Sequence, residues 1–146
     1  MKKLLPGLII FIFLVSSCSQ DRIRSSQITP RVSLQPDKTV VVGRIVSPVS
    51  KSPYANLIVR LAEIHHEENG QGGVFVMDEG LSPGTRTDNN GNFVIEDVPP
   101  MEYAIVVGYS SGQYVVIRKK NGDVQTWLAE PGKILDVGVL EIELKR

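Results

Sequence analysis

Thr87-Asp88-Asn89-Asn90-Gly91-Asn92-Phe93-Val94-Ile95-Glu96-Asp97-Val98-Pro99-Pro100-Met101-Glu102-Tyr103 is the stretch whose reading decides the fold. Asp88 can close an Asx-type turn on its own backbone, and Gly91 supplies a left-handed residue at no steric cost. Asn90-Gly91 is a strong hairpin signal, because both residues tolerate φ > 0. Asn92–Glu96 then reads as a returning strand, with Phe93 entering the core one step after the turn. Val98-Pro99-Pro100 reads as a corner, since neither proline can donate to a ladder. Glu102–Tyr109 is the next strand, with Tyr103, Ile105 and Val107 on one face.

The same grammar extends in both directions. Upstream, the β-branched run Thr39–Val46 predicts a buried strand. Ser47–Pro53 is a loop. Asn56–Ile64 predicts a second strand. Its Leu57, Val59, Leu61 and Ile64 would also suit a helix, but Pro53 before it and glycines after it favour strand. His65–Gly73 reads as a polar turn, Val74–Met77 as a short strand, and Asp78–Gly84 as a loop. Thr85–Asp88 begins the segment that pairs across the Asn-Gly turn. Downstream, Gln113–Lys119, a second Asn-Gly turn at Lys120–Asp123, Val124–Leu128 and Ile134–Leu144 complete the set. In the last run Val139, Leu140, Ile142 and Leu144 read as the apolar side, against Glu141 and Glu143.

About seven to eight short strands at roughly 8–12-residue spacing, with no helix, predict an all-β fold: a single Greek-key β-sandwich. No internal repeat is present. The chain has 146 residues, with 16 Lys+Arg, 16 Asp+Glu, a single Cys and 42% apolar residues. That length suits one domain. Balanced charge provides no basic field to attract nucleic acid, so no nucleic-acid partner is expected. One Cys cannot form an internal disulfide.

The start of the chain has a different character. Met1-Lys2-Lys3 is basic, Leu4–Val15 is almost wholly apolar, and two serines precede Cys18. The apolar run is too short for a membrane span of about 20 residues and has the layout of a secretory signal. Val15-Ser16-Ser17-Cys18 resembles a bacterial lipobox. The resemblance implies cleavage before Cys18, its diacylation and usually acylation of its amine. More than one acyl chain is what stable anchoring requires. Ser19, rather than Asp, follows the Cys, which by resemblance favours the outer membrane over the inner cell membrane. In a one-membrane organism the anchor would hold to the outer face. Removing residues 1–17 takes Lys2 and Lys3 with it and leaves a mildly acidic body, so the lipid must do the anchoring. The expected organisation is a signal peptide over 1–17, lipidated Cys18 with a flexible tether over 18–37, and the sandwich over 38–146. A short edge strand at Val32 and Leu34 is the alternative to an unstructured tether.

Thr87–Tyr103 further resembles the carboxypeptidase regulatory-like domain, a transthyretin-like (prealbumin-like) sandwich with the form T-D-x-x-G-x-F-x-(aliphatic)-x-x-(aliphatic)-P-x-G-x-Y. Gly43-Arg44-Ile45-Val46, Asn56–Leu61 and Leu135–Ile142 are similar to its opening and closing strands. The resemblance spans about residues 38–144. Met101 stands where the family usually has Gly, which predicts a corner with φ < 0 there, or strain. Collagen-adhesin B-type repeats share T-D-x-x-G-x-F and often carry a Lys–Asn isopeptide crosslink. The first strand here has no Lys within it, so no crosslink is expected. The family implies an accessory, non-catalytic module and brings no catalytic residue.

The chemistry-bearing residues are few. His65-His66-Glu67-Glu68 is the densest metal-capable cluster, but adjacent histidines on a continuing strand point to opposite faces, so a solvated loop is the plainer reading. Asp88–Gly91, with Asp78 and Glu79, offers oxygens that could hold calcium, but Gly91 falls too early for an EF-hand loop, and a turn is the plainer reading. Trp127, Tyr109 and Tyr114 could form a sugar platform or could be ordinary core and rim packing. Arg118-Lys119-Lys120 reads as a solvated turn. No G-x-S-x-G or phosphate-loop motif is present; Gly108–Gly112 holds serines between glycines but sits in an expected hairpin. The expectation is therefore a lipid-anchored exported protein, not an enzyme, with no cofactor and no metal site. Its sandwich would act as a structural or binding module for a protein or glycan partner in the cell envelope. A metal- or carbohydrate-binding lipoprotein with its ligand site in the loops is the alternative.

Overall fold

The computed structural model describes residues 32–67, 73–110 and 113–144. Cys18, the expected signal peptide, most of the expected tether and Glu68 lie outside the described residues. Among the described residues there is no helix. The strands are β1 (Thr39–Val46), β2 (Ile58–His66), β3 (Gly73–Val76), β4 (Gly84–Arg86), β5 (Asn92–Val98), β6 (Glu102–Ser110), β7 (Gln113–Val116), β8 (Thr126–Leu128) and β9 (Ile134–Glu141). This exceeds the expected seven to eight by one, because Gly84–Arg86, next to the expected pairing segment Thr85–Asp88, forms a strand of its own, β4.

The strands form two sheets, one of three strands in the order β5-β1-β9 and one of six. In the smaller, β1 pairs antiparallel with β5 and parallel with β9. In the larger, β3 and β4 share one edge of β2, while β7 and β8 share one edge of β6. β2 and β6 pair antiparallel at its centre. Val41, Ile45, Phe93 and Ile95 from one sheet pack against Leu61, Tyr103, Ile105 and Val107 from the other. The expected β-sandwich is therefore present. Period-2 alternation turns Ala62, Ala104 and Val106 to the outer face of the larger sheet, where Ile64, Met77, Tyr114, Val116 and Val124 cover them. That second layer explains why β2 and β6 are apolar on both faces.

The Thr87 corner carries the chain from one sheet to the other. Thr87, 5% exposed, donates its hydroxyl to the Tyr54 carbonyl and accepts from the Leu57 N–H at 2.9 Å. Asp88 Oδ1 accepts from the N–H groups of Asn90 and Asn92, each at 2.8 Å. Gly91 has φ 78°, and its carbonyl accepts from the Ile45 N–H at 2.8 Å. A Cβ there would strike the Ile45 carbonyl and the Pro53 ring. Phe93 then enters the core at 2% exposure. At the next corner Tyr103 donates its hydroxyl back to the Pro99 carbonyl at 3.0 Å.

The structure corrects the sequence reading at four places. The Asn-Gly turn does not join neighbouring strands: β4 pairs with β2 and β5 pairs with β1, so it links the two sheets. Only Gly91 takes a positive φ there, because the Asp88 carboxylate holds the Asn90 N–H. His65 and His66 are not turn residues but end β2, extended by pairing with Val74 and Gly73. Val139 faces solvent at 59% exposure, because Gly138 adopts φ 74° and the β1–β9 register shifts beside it. Met101 keeps a negative φ, as its place in the corner predicts, and the left-handed residue nearby is Asp97, at φ 57°. Residues 32–35 form no strand. The Ser33 N–H donates to Glu96 Oε1 and the Gln35 side-chain amide to Asp97 Oδ1, both at 2.9 Å.

These contacts and the Tyr103 hydroxyl set up three stability experiments. Thr87→Val preserves shape but leaves the Leu57 N–H and the Tyr54 carbonyl unpaired, and should cost about 1–3 kcal/mol. Thermal denaturation should show a fall of roughly 4–8 °C per kcal/mol in a domain of this size. Gly91→Ala, strained and in collision, should be at least as damaging. Burial, aided by the Glu63 carboxylate, pushes the Tyr103 hydroxyl up to about 12. Unfolded tyrosine ionises near pH 10, so between about 10 and 12 only the unfolded chain loses this proton. Stability contributed by neutral Tyr103 should fall as pH rises through that window. The unfolding free energy of Tyr103→Phe should decline less steeply there.

Candidate functional site

In β2 the core-facing residues are Val59 and Leu61, so Arg60 lies on the outer face with Ala62. β4 pairs antiparallel alongside, placing Gly84 opposite Arg60 and Arg86 opposite Ile58. Directly opposed residues share a face, so Arg60 and Arg86 are diagonal neighbours, typically about 7–8 Å apart and within reach of long side chains. Gly84 makes the close approach feasible. A Cβ at Gly84 would lie 2.8 Å from Arg60 Cγ and 2.8 Å from the Val59 carbonyl oxygen.

Both guanidinium groups are partly held by backbone carbonyls. Arg60 Nη1 donates to the Ser82 carbonyl at 3.0 Å, and Arg60 Nε is buried with no protein acceptor. Arg86 Nη1 donates to the Asn56 carbonyl at 3.0 Å. Asn56 itself is held at φ 58°. Ile58, Arg60, Gly84, Thr85 and Arg86 line a cavity of about 310 Å³. Among the described residues, the ion pairs involve lysines and histidines, and neither arginine has a carboxylate partner. Sequence reasoning missed this pair. A charge inside the apolar run Leu57–Ala62 was the available signal for Arg60, whereas Arg86 becomes its neighbour only through the β2–β4 register.

The residues that the sequence singled out do not converge. His65 Nε2 lies 3.4 Å from Glu63 Oε2, and His66 Nε2 lies 2.7 Å from Glu102 Oε2. The two histidines follow the opposite faces of the strand, as continuing alternation requires. Hydrogen bonds from Thr126 and then His66 hold the Glu102 carboxyl below its ordinary range, against partial burial. Among the described residues no group of three or more His, Cys, Asp or Glu side chains could hold a metal ion.

At Asp88, burial alone would raise the carboxyl pKa. Hydrogen bonds from the Asn92 side chain, the Asn92 backbone and the Asn90 backbone, with the nearby Arg44 charge, outweigh it and lower the pKa. Both carboxylate oxygens accept donors within the turn. Trp127 packs beside the core opposite Tyr103, Tyr114 belongs to the outer layer, and Tyr109 meets Tyr54 edge-on at 6.4 Å. The three aromatics form no platform. Arg118 Nη1 donates to the Gly122 carbonyl at 2.8 Å and closes its own turn.

No protein-family model and no curated protein matches this chain. Among solved structures it is similar to a candidate carbohydrate-binding protein from Pseudomonas aeruginosa, at 16% identity and TM-score 0.44, covering 75% of this chain and 92% of that one. It is also similar to the major pilin subunit BcpA of Bacillus cereus, at 14% identity and TM-score 0.43, covering 73% of this chain and 30% of the pilin. A 9R-lipoxygenase from Cyanothece aligns at 16% identity and TM-score 0.39, covering 76% of this chain. The chain spans only 18% of the lipoxygenase and 30% of the pilin. These likenesses concern backbone geometry.

The lowered Asp88 pKa gives a pH-dependent outcome. A depressed folded pKa contributes stability above the unfolded carboxylate value, and that contribution is lost as pH falls through the folded one. Acid titration of the wild type should show this loss, and Asp88→Asn should start lower and respond less to acid.

Proposed function

We propose that this chain is an exported lipoprotein, anchored through Cys18, whose sandwich is a non-catalytic structural or binding module of the cell envelope. The observation that carries the anchor is the coincidence of the sole Cys with Val15-Ser16-Ser17 at the end of the apolar run. Among the described residues no helix is long and apolar enough to cross a membrane. The domain division proposed is 1–17 for the signal, 18–37 for the lipidated Cys and tether, and 38–146 for the sandwich. The Ser33 and Gln35 contacts fasten the last part of that tether to Glu96 and Asp97 of β5.

The edge strand β3 supports the binding reading. Val74, Phe75 and Val76 are 62%, 43% and 50% exposed. Natural edge strands are ordinarily blunted by charge or proline, and β3 carries neither. An extended partner segment could add to it. The membrane, through the lipid, and a protein or glycan in the envelope are the partners proposed.

Expression of the full chain in a lipoprotein-processing bacterium tests the anchor. The wild type should incorporate labelled palmitate and fractionate with membranes, and Cys18→Ser should do neither. Mass spectrometry finding an unacylated thiol at residue 18 of the mature protein would overturn the proposal.

A further inference from the structure

We propose that the cavity between β2 and β4 is a binding site for an oxyanion group — carboxylate, sulfate or phosphate — gripped by Arg60 and Arg86. The proposal goes beyond the envelope-module reading and does not depend on acylation of Cys18.

Two like charges at diagonal positions of a sheet face repel each other unless something lies between them. No carboxylate of the described residues does so. The chain has equal numbers of acidic and basic residues. Carboxylates to neutralise the pair were therefore plentiful, yet among the described residues none pairs with it. Each guanidinium is anchored at Nη1 by a carbonyl, Arg60 by Ser82 and Arg86 by Asn56. That uses one donor of each and leaves further N–H donors, the buried Arg60 Nε apart, for a ligand. Such preorganised forks match the bidentate geometry of carboxylate, sulfate and phosphate.

Arg60 is half-buried, and of its donors only Nη1 is bonded to the protein, at the Ser82 carbonyl. Ile58, Gly84 and Thr85 complete an open, mostly polar lining around the two arginines. A cavity of about 310 Å³ sits at the lower end of small-ligand sites, so it suits a free oxyanion or one acidic sugar.

Calorimetric titration of the full chain in uncharged detergent, at constant ionic strength set with chloride, tests this. The probes are inorganic sulfate, inorganic phosphate, glucuronate and neutral glucose. Binding of at least one anion, with none of glucose, is expected. Sulfate or phosphate without glucuronate assigns the site to tetrahedral oxyanions; glucuronate alone assigns it to sugar carboxylates. Arg86→Gln should weaken the binding about tenfold or more, as loss of a charge-assisted pair predicts. Arg60→Lys keeps the charge but loses the fork, and should also weaken it. Circular dichroism should show both variants folded. No anion binding above chloride, or unchanged affinity in the folded Arg86→Gln protein, would overturn the proposal.

Discussion

The hydroxyl of Thr87 is the pivot on which the two sheets turn. It bonds both the Tyr54 carbonyl and the Leu57 N–H, so it fixes the chain just before β2 against the chain just after β4. Asp88 then closes the following turn, and Gly91 presents its carbonyl to Ile45 in β1. Within a few residues the chain has left one sheet, turned, and joined the other. Phe93 can reach the core only because that crossing is held to one geometry. Tyr103 repeats the device in reverse, returning the chain to the larger sheet with its hydroxyl on Pro99.

Once the crossings are fixed, the rest follows from alternation. β1 lies between β5 and β9, and its Gly43 leaves room for the Phe93 ring and Val137, which an added Cβ would strike at 2.8 and 2.6 Å. The larger sheet buries its inner face against this layer. On its outer face, Ile64, Met77, Tyr114, Val116 and Val124 cover Ala62, Ala104 and Val106. Beyond that cover the same face carries Arg60 and its neighbour, so burial and charge share one surface without conflict.

Much of this was legible because local chemistry acts locally. β1 has the bounds its β-branched run announces, and the Asp88 and Gly91 roles follow from side-chain reach and φ alone. What failed was what depends on a partner strand. Alternation says which face a residue takes but not which strand lies beside it, so a sheet-crossing turn looked like a hairpin. The end of β2 was set by Val74 and Gly73 rather than by the polarity of His65 and His66. Val139 was misplaced because Gly138 inserts a shift that a period of two cannot anticipate. The arginine pocket was hidden for the same reason: register creates it, and neither segment contains it.

Asn56 ties the architecture to that pocket. Its N–H donates to the Thr87 carbonyl at 3.0 Å, while its own carbonyl accepts from Arg86 at 3.0 Å. Its φ of 58° is uncommon for a non-glycine residue, and Asn tolerates it better than most. One strained residue therefore connects the sheet-crossing corner with the orientation of a guanidinium. The corner does more than join two sheets, since the bonds that make the crossing also aim Arg86. The two charges stay apart because each arginine is drawn to its own carbonyl, Arg60 to Ser82 before β4 and Arg86 to Asn56 before β2.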